Sequence, residues 1–154
     1  MKNMSIEIII SLYQEGYLTD KEVVDWADDK ILKEQEPFEY FCMLSLKGPK
    51  YCSSLPATDF PSAKQLTFSE RFALRATKLN LESEEDCEHF REWLASTSLG
   101  ENLALPEVMF GYHIDEDFYC TDNRSRGLKY FNEQMPKLIS TTKHLAEALW
   151  SAIA

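Results

Sequence analysis

The order of apolar and polar positions along the chain predicts a succession of helices. Ile-rich residues from about Ser5 to Glu15 form an unbroken stretch that stops at Gly16, which favours a buried helix over a strand. Thr19-Asp20-Lys21-Glu22 then has the spacing of a capping box. The Thr hydroxyl can take the third helical amide while Glu22 reaches back to Thr19, which opens a helix to about Lys33. On that helix Val23, Val24, Ala27 and Ile31 share one face, Asp25, Asp28 and Asp29 share the opposite arc, and Trp26 sits at the margin between them. Pro37 suits the first turn of a third helix, dense in Phe38, Tyr40, Phe41, Met43, Leu44 and Leu46, that ends at Gly48.

Three prolines between Pro49 and Pro61 predict a loop, because proline denies helix and central strand an amide donor. A second capping box, Thr67 to Glu70, opens a helix to about Leu79, with Phe68, Phe72 and Ala76 inward and Arg71, Arg75 and Lys78 along a flank. After Asn80-Leu81-Glu82 the next helix begins at Ser83 and runs to about Thr97. Its Cys87, Phe90, Trp93 and Leu94 oppose Glu84, Glu85, Glu88 and Glu92. The two helices would form an antiparallel hairpin in which some of the flanking cations meet carboxylates.

Val108, Phe110, Tyr112 and Ile114 alternate with Met109, Gly111 and His113. This period of two allows a small β-hairpin near residues 107–121, turning at Asp115-Glu116-Asp117. After a loop at 123–127, Leu128 to Met135 and Pro136 to about Ile153 read as two helical segments, with the proline as a kink or a new start. The fold class is therefore mainly α, a multi-helix single domain over residues 1–154. That length can bury about 68–70% of the unfolded surface in one core.

Charge narrows the partners. Sixteen basic against twenty-six acidic residues give −10, which disfavours nucleic acid or an anionic membrane and favours a basic protein. Three cations on one helix, Arg71, Arg75 and Lys78, are a weak footprint for phosphate. Cys42, Cys52, Cys87 and Cys120 have no metal-ligand spacing, and the N-terminal apolar run is interrupted by Glu7. Free thiols, no metal, no membrane span and a cytoplasmic location are the expectation.

No catalytic constellation stands out. His89, His113 and His144 lie in unrelated segments, His113 and Cys120 are a thiol and imidazole pair that a hairpin could bring together, and the five glycines are isolated, so no phosphate loop can be drawn. The expectation is a protein that is not an enzyme and carries no cofactor. The stripe Glu84, Glu85, Glu88, Glu92 is the leading candidate for partner binding, because like charges at i, i+3 and i+4 destabilise a helix by a few tenths of a kcal/mol per pair. A solvated helix face is the plainer account. Asp25, Asp28 and Asp29, with Trp26 beside them, form a second candidate patch, and Asp115-Glu116-Asp117 a third acidic cluster.

The segment from Leu12 to Ile31 (LYQEGYLTDKEVVDWADDKI), with its helix, Gly turn, capped helix and Trp-Ala-Asp core, resembles the opening of small bacterial toxin-immunity proteins of contact-dependent growth inhibition and polymorphic toxin systems. The resemblance covers roughly the first third of the chain. It implies an inhibitor that binds a cognate toxin domain inside the cell, and it carries over no contact residues. The alternatives from other classes are an adaptor or secretion chaperone with a groove between helices, and an enzyme using His113 and Asp115.

Overall fold

The computed structural model describes residues 2–154, leaving Met1 outside. Among the described residues the chain is all helical, with α1 (Lys2–Gln14), α2 (Asp20–Leu32), α3 (Glu39–Ser53), α4 (Phe68–Lys78), α5 (Glu84–Thr97), α6 (Pro106–Asp115), a π-turn (Glu116–Cys120) and α7 (Arg124–Ala152). It divides into two compact units. The first holds the chain up to Leu66 with Leu149–Ala154, and the second holds Thr67–Ala148.

In the first unit, α1 is buried almost all round: Ile6, Ile8, Ile9, Ile10 and Leu12 are each at most 4% exposed, so this helix forms the centre of its unit. Its Ser11 hydroxyl donates to the carbonyls of Glu7 and Lys64, and Lys64 N–H donates to Glu7 O at 2.9 Å, which ties the extended segment before Leu66 to α1. The capping box at Thr19 is present in both directions. The α2 and α3 helices pack closely, with Val23, Ala27, Phe41 and Leu44 buried.

The third helix runs further than its proline content predicts. Gly48, at φ 80° and ψ 165°, breaks the helical path, and Pro49 begins a second short helical stretch to Ser53. Proline has no N–H to lose at a first turn, so the expected loop begins only after that stretch.

The second unit is built on aromatic side chains. Phe68 stacks on Trp93 and Phe72 meets Phe90 edge-on, so numbers rise along α4 as they fall along α5: the two helices are antiparallel. Thr67 completes its capping box, and the Ser83 hydroxyl accepts the Asp86 amide. Arg75 lies over the Trp93 ring at 4.5 Å. Phe110 of α6 stacks on Phe131 of α7 with centroids 6.0 Å apart.

The hairpin expected near residues 107–121 does not form: no strand occurs among the described residues, and 106–120 is helix followed by the π-turn. The buried positions are Glu107, Phe110, Gly111 and Ile114, spaced by three and four, together with Val108. Period two emerged because only apolar types were counted. Glu107 points inward to accept the Ser69 hydroxyl, while Met109 is exposed. Likewise Asp117, expected on a turn, is buried.

Pro136 does not divide the last segment into two helices; α7 is one helix from Arg124 to Ala152 with the proline inside it. A mid-helix proline costs about 3 kcal/mol, and burial of Met135 and Leu138 on either side of it offsets that cost.

Gly111 sets how closely α6 approaches α5. A Cβ added there would lie 2.5 Å from Ser98 Cβ and also overlap the Ser98 hydroxyl, itself buried without a hydrogen-bond partner. Gly111→Ala should therefore destabilise the protein by about 2 kcal/mol through overpacking. Adding Ser98→Gly, which removes both overlapping atoms, should recover part of the loss; urea unfolding of the single and double variants measures this, and equal stabilities of Gly111→Ala with and without Ser98→Gly would place the strain elsewhere.

Candidate functional site

The acidic stripe of α5 follows directly from its cap. Ser83 fixes the start, Glu84, Glu85 and Asp86 occupy the first turn where the helix dipole favours carboxylates, and every third or fourth residue afterwards returns to the same side. Arg91 is what changes its meaning. This arginine has no exposed surface, yet its Nη2 reaches Glu84, and Glu88 Oε2 at 2.9 Å. Its guanidinium lies over Phe118 at 4.6 Å and over Phe131 at 5.0 Å. Arg124, at the start of α7, reaches the same two carboxylates at 3.1 and 3.3 Å. The Tyr119 hydroxyl donates to Glu88 Oε1 at 3.3 Å.

A buried charge is tolerated only when neutralised and hydrogen-bonded. Guanidinium suits the position because it is planar, weakly hydrated and able to stack on rings while its edge donates. The π-turn delivers three consecutive side chains to these contacts. Asp117 accepts from Arg126 Nε at 2.9 Å and Nη2 at 2.5 Å, Phe118 covers Arg91, and Tyr119 reaches Glu88. Gly127 makes room for that arrangement, since a Cβ there would lie 2.5 Å from the Phe118 ring.

The four carboxylates of the stripe therefore divide. Glu84 and Glu88 face two guanidinium groups, so their charges cancel locally. Glu85 and Glu92 form no ion pair among the described residues. In the other patch, Asp25 pairs with Lys21 at 2.6 Å and Asp29 with Lys33 at 2.7 Å, both exposed, while Asp28 accepts the Ser45 hydroxyl. Trp26 is half-buried: its indole N–H donates to Ile153 O at 2.6 Å, and its ring meets Phe41 edge-on. Those contacts give it a structural task within the first unit.

Two depressions lie near the π-turn. A shallow groove of about 250 Å³ is lined by Glu92, Ala95, Ser96, Leu99, Asp115 and Tyr119. A second hollow, of about 430 Å³, is lined by His113, Glu116, Asp117, Arg126 and Tyr130. His113 and Asp115 thus line different depressions. The Cys120 thiol donates to Asp115 at 3.5 Å, whereas His113 packs against Tyr130. The Asp115 hydrogen bond, with burial and nearby carboxylates adding, pushes the thiol pKa up and away from the reactive thiolate. Cys42, Cys52 and Cys87 are free thiols as well. Among the described residues no cluster of three or more His, Cys, Asp or Glu side chains could hold a metal, and no helix is long and apolar enough to cross a membrane.

Sequence reasoning passed over Arg91, Arg124, Phe118 and Tyr119. One signal was available: Arg91 lies three residues after Glu88 and seven after Glu84, on the same helical side.

The Arg91 hydrogen bond holds the Glu88 carboxyl below the usual carboxylate range against an opposing push from burial, and Arg124 adds to the fall. A carboxylate with a lowered folded pKa binds fewer protons folded than unfolded. Its stabilisation is complete above the unfolded value of roughly 4.3 and disappears as pH falls through the folded value. Glu88→Gln should accordingly flatten the loss of stability between about pH 5 and pH 3, and Arg91→Ala should cost about 3 kcal/mol at neutral pH. Urea titrations across that range, followed by tryptophan fluorescence, test both; an unchanged acid limb in Glu88→Gln would remove Glu88 from this role.

No protein-family model, curated protein or solved structure matches this chain, so its function has to be argued from its own residues.

Proposed function

We propose that the chain is a binding protein that neutralises a basic protein partner, in the manner that the resemblance of Leu12 to Ile31 implies for a toxin-immunity protein: one copy occludes one cognate toxin domain. The observation that carries this reading is the unpaired state of Glu85 and Glu92 on α5, in a chain whose net charge is −10. Carboxylates without internal counter-ions keep their charge for a partner, whereas Glu84 and Glu88 hold the helix against Arg91 and Arg124.

Exposed Leu99 and Tyr119, which share a groove with Glu92, supply the apolar area that such an interface needs at its centre. Complementary fields would bring encounter rates toward ~10⁸ M⁻¹s⁻¹ at low salt, and an interface of about 1,600 Å² is enough for nanomolar affinity. The α2 patch is the weaker face, because Lys21 and Lys33 already answer Asp25 and Asp29.

The tagged chain, passed over extract from its source cells, should retain one basic domain at equal stoichiometry and release it at high salt. Reversing Glu85 and Glu92 to Lys should weaken that complex at least about tenfold at low salt and reduce its salt dependence. Reversing Asp25, Asp28 and Asp29 should matter less. Retention of no basic protein, or of many unfolded clients, would overturn the neutralisation reading, the latter in favour of a chaperone.

A further inference from the structure

The groove of the second unit has an unusual combination of walls. Ala95 and Leu99 of the α5 side and Tyr119 of the π-turn make its apolar part, and Leu99 and Tyr119 are 53% and 44% exposed. Glu92 of α5 and Asp115 at the end of α6 are the carboxylates that line it. Glu92 has no ion pair, and the only side-chain hydrogen bond shown for Asp115 is that of the Cys120 thiol at 3.5 Å. The nearby cations, Arg91 and Arg124, are committed to Glu84 and Glu88.

Each class of occupant fares differently there. An anion would be repelled by both carboxylates. A purely apolar side chain would cover the floor but strip water from Glu92 and Asp115 without replacing it, a cost for any charged group. An arginine side chain satisfies both requirements: its methylene stem lies along apolar surface while its head pairs with carboxylates. Two carboxylates from different elements also suit a fork of five donors better than a single ammonium. The Tyr119 ring adds an aromatic wall of the kind that guanidinium groups favour.

Resting on the reading of the chain as a binder of basic proteins, we propose that this groove is the receptor for one arginine side chain presented by the partner, held between Glu92 and Asp115 over Leu99 and Tyr119. The state of Tyr119 agrees with a negative field at this place. Burial first, then the charges of Glu88 and Glu92, push its hydroxyl up to about 12.

The test uses the full chain with labelled methyl groups and a capped pentapeptide, Ala-Ala-Arg-Ala-Ala, against its citrulline counterpart, which keeps the shape and removes the charge. The arginine peptide should shift the Leu99 and Ala95 methyl resonances saturably, with a Kd of about 1 mM. The citrulline peptide, and Glu92→Gln with the arginine peptide, should each bind at least about tenfold more weakly. Glu92 is exposed, so that variant keeps its fold; Leu99→Ser, which removes the floor, should lower affinity as well. Equal binding of the two peptides, or shifts confined to residues outside the groove, would overturn the proposal. The two readings separate cleanly. A captured basic domain that binds Glu92→Gln as tightly as the natural chain rules out the groove and spares the neutralisation reading. Saturable arginine binding in the groove, with no basic domain retained from extract, supports the groove and removes the neutralisation reading.

Discussion

A guanidinium group with no surface in water has to find its counter-charges and its solvent substitute inside the protein, and Arg91 imposes that requirement on the whole second unit. Glu84 and Glu88 must sit two turns and one turn before it, Arg124 must arrive from α7 to balance the second carboxylate, and two rings must cover its faces. Phe131 comes from α7 and Phe118 from the π-turn. The π-turn in turn needs Gly127 so that Phe118 can approach. Three separate stretches of chain, α5, the π-turn and α7, thus converge on one charge, which gives the aromatic core a fixed register that apolar packing alone would specify less sharply.

Local rules account for what was legible in the sequence. The capping boxes at Thr19 and Thr67 were readable because each closes within four residues, and both form as expected. The amphipathic faces of α2, α4 and α5 follow from spacing alone. Two elements defeated that reasoning for the same reason: a charged residue that the structure buries was left out of the pattern. Without Glu107 on the inward face, the helical spacing of α6 read as an alternation from Val108 to Ile114. Passing over Arg91 hid the ion-pair network, since the rings that make its burial possible lie 27 and 40 residues further along the chain. The Glu88 and Arg91 spacing was visible; the partners that give it meaning were not local.

The charge of the chain is consequently less available than its composition suggests. Part of it is structural, spent against Arg91, Arg124 and Arg126, and part is answered along α2 by lysines one turn away. Among the carboxylates that form no ion pair, Glu92 borders apolar surface. A carboxylate without an ion pair at the edge of an apolar groove favours orientation-dependent docking over diffuse attraction, and that distinction separates a specific binding surface from a merely acidic one.

The hydrogen bond from Trp26 to Ile153 joins positions 127 residues apart, and the Tyr17 and Trp150 rings meet within the same unit. The second unit, by contrast, is one uninterrupted stretch from Thr67 to Ala148. The first unit is completed by residues 149–154, which lie beyond that stretch. Loop closure over so long a separation is also entropically slower to achieve than the short closures around Arg91. The topology therefore favours assembly from the inside out along the chain: the middle closes through short separations, while the first unit has to bring together residues from both sides of it.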